Sequence, residues 1–322
     1  MTKALAARIA DGDARGRRRK AALTWSEWWA DRPALSSLRA ALDALDAHGA
    51  PAGTEILAAV RPLLDRAGWI DEGIAAMIAA ARADPLFEPP MRAILYGRQA
   101  GLQLFQHRLL TVSLLVVPGG GGGVVATPIE APKTVGFTGH RSLVRFVRAG
   151  HAHLDFWQVE EESARCELGQ EPQGHCRWVG RRTAPDDGVL EIDGAHQAWA
   201  IASAPEDVVL LQATARVDAA PLLREYDADT GEFVSASATD GAAIRMQLIA
   251  SVLRAMKRTD SAPMLARAAG EGPFHLRWHM ARELVALDRT QARPLIERMA
   301  ASDPHPELRE VAKRTLAMMT PA

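Results

Sequence analysis

The stretch AGHAHLDFWQ, Ala149 to Gln158, sets two histidines one residue apart in a run of alternating character. On an extended strand, residues two apart point the same way. Ala152, Leu154 and Phe156 then share one side, and His151, His153, Asp155 and Trp157 the other. The two imidazoles, about 7 Å apart along the backbone, can close on one metal ion, whereas Asp155, about 13 Å from His151, cannot readily join them. The same pair equally fits the solvated face of an edge strand, and the spacing admits both readings.

Other groupings carry less chemistry. His175 and Cys176 adjoin each other with Cys166 upstream, but zinc wants four converging ligands and no C-x-x-C pair is present, so these read as plain thiols. His275 and His279 lie one helical turn apart in FHLRWHMAREL, with Glu283 a turn later, a spacing able to hold zinc on a helix face. The H-E-x-x-H glutamate is missing, so a packed helix contact is expected there. No G-x-S-x-G elbow occurs. The glycine run Gly119 to Gly123 lacks both the P-loop ending and the G-x-G-x-x-G pattern, and reads as a flexible connection between strands.

Composition bounds the function class. The chain has 322 residues, 48% hydrophobic and 24% charged, which is the profile of a folded protein of two or three domains. Its 38 basic and 39 acidic side chains nearly cancel, leaving no long-range field to draw in nucleic acid or an anionic membrane. The dense basic run ARGRRRK, Ala14 to Lys20, has no interleaved aromatics to stack bases and reads as a solvated arm or a basic first helix turn. The first residues lack the apolar core of a secretory signal. The apolar run LLTVSLLVVP from Leu109 is about half the roughly 20 residues a membrane crossing needs, so it is expected to be a buried strand. With two cysteines in all, a reducing cytoplasm is the expected compartment.

Three textures follow the basic arm of residues 1–20. Over 21–93 the pattern is helical: Leu35, Leu38, Leu42 and Leu45 recur at three and four, Ile56, Val60, Leu63 and Leu64 repeat the spacing after Pro51 to Gly53, and a third helix fits Glu72 to Ala83. The WSEWW cluster, Trp25 to Trp29, is expected to cap the core of these helices. After LFEPPMRA the chain turns strand-like over 94–238, with strands at Leu109–Val117, Ser142–Val147, His151–Val159, Gly188–Ile192, Gln197–Ile201 and Val208–Ala215. Over 239–322 it is helical again. There Asp303 is placed to cap a helix, Pro304 to open it, and Leu308, Val311, Ala312 and Leu316 line one face.

The last region, through its D-P-H-P-E-L-R opening and paired amphipathic helices, resembles HEAT repeats, which implies helix pairs stacked on neighbours and a surface for a protein partner. The central region resembles the cupins. His151 and His153 match the family's His-x-His pair, and His196 in GVLEIDGAHQAW, Gly188 to Trp199, matches its third histidine. Gln158 stands four residues after His153, where the family usually has glutamate. The resemblance therefore implies a divalent ion, iron favoured, held by His151, His153 and His196 with Gln158 or water, inside a small barrel; Glu160 would substitute only through a strand bulge. Trp157 and Trp199 are the aromatic walls expected for a substrate.

The resulting expectation is an α+β protein, with a cupin-like barrel or sandwich flanked by N-terminal helices and C-terminal HEAT-like helix pairs. Its function is read as that of a cupin-type metalloprotein, with non-haem iron oxidation of a small molecule or peptide as the chemistry that the resemblance implies. The alternative is a metal-free binding or scaffold protein that meets a protein partner through its helical surface.

Overall fold

A computed structural model describes residues 12–319, apart from 67, 85–86, 88, 90, 98, 121–132, 160–173, 221 and 240. Helices α1 (Gly12–Ala30), α2 (Pro33–Ala47), α3 (Gly53–Asp65) and α4 (Gly68–Ala83) come first, and the basic stretch lies within α1. Pro33 opens α2 where its missing N–H is no loss. Leu35, Leu38 and Leu42 of α2 and Ile56, Val60, Leu63 and Leu64 of α3 are buried on the faces that their spacing defines. Helix α4 starts earlier than Glu72 because Trp69 is anchored, its indole N–H donating to the Leu63 carbonyl at 3.0 Å.

Twelve strands follow among the described residues: β1 (Arg92–Tyr96), β2 (Gln99–Gln106), β3 (Leu110–Val117), β4 (Thr134–Phe137), β5 (Arg141–Arg148), β6 (His153–Gln158), β7 (Arg177–Thr183), β8 (Val189–Asp193), β9 (Gln197–Ser203), β10 (Val208–Ala215), β11 (Leu222–Asp227) and β12 (Phe233–Ala238). They form a six-stranded sheet ordered β1-β2-β3-β10-β5-β8 and two three-stranded sheets, β7-β6-β9 and β12-β11-β4, antiparallel throughout. One face of the large sheet, carrying Leu110, Val112, Leu143, Leu211 and Ala213, packs on the N-terminal helices. Its other face, carrying Leu115, Val117, Val144, Phe146 and Leu210, meets Leu154, Phe156, Trp199 and Ile201 of β6 and β9. A strand covered on both faces needs apolar residues at odd and even positions alike, which is why the Leu109 run shows no alternation. Trp25 stacks on Trp29 with ring centroids 5.5 Å apart, and the Trp29 indole N–H donates to the buried Leu104 carbonyl at 2.8 Å. The WSEWW cluster thus closes the seam between helices and sheet.

The chain passes between sheets at corners that abut in pairs. At one end of β5, residues 149–152 lead to β6 and lie against residues 204–207, which lead from β9 to β10; the Glu206 N–H donates to the Gly150 carbonyl at 3.3 Å, and Arg148 pairs with Glu206 at 2.6 Å. Gly150 has φ +59°, and a Cβ there would sit 2.6 Å from the Glu206 carbonyl oxygen, so this approach requires glycine. At the other end of β5, residues 138–140 and 193–196 meet through reciprocal bonds, Gly139 N–H to Gly194 O at 2.9 Å and Gly194 N–H to His140 O at 3.0 Å.

The C-terminal helices are α5 (Gly241–Ala255), α6 (Ala262–Ala268), α7 (Phe274–Leu287), α8 (Arg289–Ser302) and α9 (Pro306–Met319). They close on a core of their own, built from Leu265, Leu276, Met280, Leu284, Leu295, Ile296, Met299 and Leu308, to which the β-domain adds Ala238 at the end of β12. Within that core α7 and α8 pack on each other, and α5 meets the end of β12. Asp303 differs from a plain cap. It is buried and accepts two bonds from Arg277, at 2.7 and 3.2 Å, so the helix it precedes begins at Pro306 rather than Pro304. No helix among the described residues is long and apolar enough to cross a membrane.

Candidate functional site

The alternation read from AHLDFWQ holds along β6. Leu154 and Phe156 enter the core between the sheets, while Trp157 lies on the opposite face against Val135, Phe137 and Tyr226. The histidines, however, do not face the space between the sheets. His151 lies outside the strand, at φ +54° directly after Gly150 at φ +59°, in a tight turn closed by the Ala152 N–H to Ala149 O bond at 3.0 Å. That turn exists because β5 and β6 belong to different sheets, so the chain must change layer here. His153 is exposed at the first position of β6, with its Nδ1 3.4 Å from the Ser203 hydroxyl.

His196 sits at the opposite end of the β-domain. The register of β6 on β9 pairs His153 with Ser203 and Gln158 with Gln197, and the Val159 N–H donates to the His196 carbonyl at 3.0 Å. Six residues of strand, about 20 Å, therefore separate His153 from His196. Nitrogen ligands of one ion lie about 2.1 Å from it, so these imidazoles do not converge. Among the described residues no group of three or more His, Cys, Asp and Glu side chains is placed to hold a metal ion. The histidine set that the resemblance implied does not fit a metal here, and the sandwich ends are the reason. His196 instead bonds through Nδ1 to Asp193 at 3.3 Å, in a turn that buried Arg224 secures by donating to the Ala195 carbonyl at 2.5 Å.

A cavity of about 170 Å³ opens between edge strand β8 and strands β6 and β7. Leu154, Phe156, Leu190 and Ile192 form its apolar lining, and Arg182, Gln158, Gln197 and Thr183 supply polar groups. The Arg182 guanidinium lies 5.3 Å from the Phe156 ring centroid, and Arg182 has no carboxylate partner among the described residues. Glu191 also lines the cavity, but Arg61 neutralises it at 2.8 Å. The opening is thus cationic. Two residues singled out from the sequence are here, Gln158 and Trp157, in new company; Trp199 is packed edge-on against Phe146 at 6.1 Å in the core. Arg182 and Gln197 were missed. The available signal was the R-R pair Arg181–Arg182, which a strand sends to opposite faces: Arg181 forms two 2.8 Å bonds to Asp155, and Arg182, though exposed, is on the cavity side. The Arg181 hydrogen bonds hold the Asp155 carboxyl below its usual pKa.

The weaker groupings settle simply. Cys176 is buried, its thiol pushed up to about 11 by desolvation, while neighbouring His175 is exposed; Cys166 and Glu160 lie outside the described residues. His279 contacts Ser251 Oγ at 3.1 Å, the Gln247 carbonyl at 3.2 Å and Glu283 at 3.5 Å, and His275 is buried within α7, so the two histidines serve helix contacts.

Antiparallel sheets packed face to face, with corners that switch layers, give a layered β-domain within an α+β chain. No family model and no curated protein matches the sequence. Among solved structures, the chain is similar in part to the 7S globulin of Momordica charantia, at 9% identity and TM-score 0.27, over 42% of this chain and 35% of that one, so it spans about a third of the globulin. It is also similar to an RmlC-like cupin protein from Ralstonia eutropha, at 13% identity and TM-score 0.25, over 48% and 79% of the two chains. A sugar phosphate isomerase from a cupin superfamily, of Silicibacter pomeroyi, is similar at 9% identity and TM-score 0.26, over 47% and 88%.

Proposed function

We propose that the chain is a binding protein whose cupin-like domain takes a small carboxylate at the cavity between β6, β7 and β8. The observation that carries this is Arg182, a guanidinium with no carboxylate partner among the described residues, lying over the Phe156 ring at the opening of an apolar cavity. A guanidinium over a ring face keeps N–H groups available for a bidentate carboxylate. Gln158 and Gln197, paired across β6 and β9, supply amide donors beside it. At about 170 Å³ the cavity is below the roughly 300 Å³ at which drug-sized pockets begin, so the ligand is small. The metalloprotein and iron-oxidation reading would need ligands other than His151, His153 and His196. A thermal-shift screen of short mono- and dicarboxylates tests the proposal: stabilisation by a carboxylate that its uncharged amide does not reproduce is expected, and equal shifts from acid and amide would sink it.

A second reading, a protein partner on the C-terminal HEAT-like helices, is favoured by the exposed row Ile244, Leu248 and Val252 on α5, continued by Met256 just past its end, spaced by four and flanked by Arg245 and Lys257. That spacing and charge fit an amphipathic partner helix with acidic flanks. Leu248→Glu should abolish such binding while leaving the helix core, which Leu248 does not enter, intact.

A further inference from the structure

We propose that the C-terminal helices carry a second binding site, for a small organic phosphate bearing an aromatic ring, independent of the barrel cavity. A groove of about 540 Å³ runs between α5, α7, α8 and α9, within the volume range of small-molecule pockets. Trp278, Arg282 and Val285 follow one another on the same face of α7, at spacings of four and three, so one helix contributes both an aromatic wall and a cation. Arg289, at the start of α8, extends that face, and Arg254 enters from α5.

Charge decides the ligand class. Three guanidiniums line the groove against one carboxylate, Glu283, which Arg254 and Ser251 already hold, the hydroxyl donating at 2.9 Å. Arg282 and Arg289 have no carboxylate partner among the described residues. Surface arginines usually find carboxylates or stand apart in water. Here two unneutralised ones share a concavity with Trp278, Val285 and Leu287, so a ligand gains twice: its dianion takes guanidinium forks, and its ring covers apolar surface. A bare phosphate would satisfy only the first demand, and a neutral ring only the second.

Calorimetric titration of the full chain with phenyl phosphate tests this, with inorganic phosphate and benzyl alcohol as comparisons. Phenyl phosphate should bind saturably and at least tenfold more tightly than either. Arg282→Ala and Arg289→Ala, both at exposed positions outside the core, should each weaken it about tenfold, and Arg182→Ala in the barrel should leave it unchanged. Absence of saturable binding overturns the proposal. So does affinity unaltered in the Arg282→Ala/Arg289→Ala double variant, inorganic phosphate binding as tightly as phenyl phosphate, or loss in Arg182→Ala instead.

Discussion

Arg181 and Asp155 face each other across β7 and β6 and share two hydrogen bonds of 2.8 Å, while the next residue, Arg182, turns to the opposite face and lies over Phe156. One arginine of the pair is spent on the sheet and the other is left for a ligand. Adjacent residues of the same type therefore do unlike work, because a strand sends them to unlike surroundings.

The Asp155–Arg181 pair gives a pH signature. Asp155 is buried and its folded pKa is depressed by the Arg181 hydrogen bonds, so its stabilising contribution is complete above the unfolded carboxylate range, near 4, and is lost as pH falls through the depressed folded value. Asp155→Asn should cost about 2 kcal/mol at neutral pH and flatten the acid limb of the stability curve. Urea denaturation of both proteins between pH 7 and pH 3 measures this; coincident curves would show that the pair contributes nothing.

Gly73 on α4 lies against the Trp29 ring so closely that an added Cβ would sit 2.1 Å from its Cζ3. Trp29 cannot yield easily, being stacked on Trp25 and bonded to Leu104. Gly73→Ala should therefore destabilise by about 1 to 3 kcal/mol despite the better helix propensity of alanine. A stabilised variant in thermal unfolding would mean that the tryptophan cluster is loosely packed.

His153 and His196 should behave as strangers. With about 20 Å of strand between them, His153→Ala and His196→Ala should add in stability to within about 0.5 kcal/mol, with or without supplied iron, manganese or zinc. Coupling well beyond that, appearing only with metal, would restore the shared-ion reading.

Gln158→Glu separates the two functional readings in one protein. A carboxylate beside Arg182 would compete with an anionic ligand and lower its affinity at least tenfold. In a metal centre the same change would supply the glutamate that cupins usually carry and raise metal content. Elemental analysis alongside the binding titration reads both.

Much of the architecture was legible because burial imposes a period. The leucines of α2 and α3 and the alternation of Leu154, Phe156 and their neighbours declared their faces directly. Strands β1, β2, β4, β7, β11 and β12 were not read: β1, β4, β7 and β12 lie at sheet edges, and β7, Arg177 to Thr183, is largely exposed, so no apolar pattern marks it. The site was legible only in part. Gln158 and Trp157 do line a cavity, but the histidine set was what the resemblance implied from short motifs, which cannot show that Gly150 and His151 form a corner between layers or that the register carries His196 to the far end. Cross-strand partners such as Asp155 and Arg181 become visible only once two strands are aligned.

The central claim, that Arg182 anchors a small carboxylate at the barrel cavity, is tested most directly by calorimetry of the carboxylate that stabilises the wild-type protein most, titrated into wild type and Arg182→Ala. Removing an exposed guanidinium that lies over one ring should cost about 1 kcal/mol of stability or less, so the variant stays folded. The account predicts saturable wild-type binding that weakens at least tenfold, about 1.4 kcal/mol, in the variant. Equal affinity in the two proteins, or no carboxylate bound by either, would contradict it.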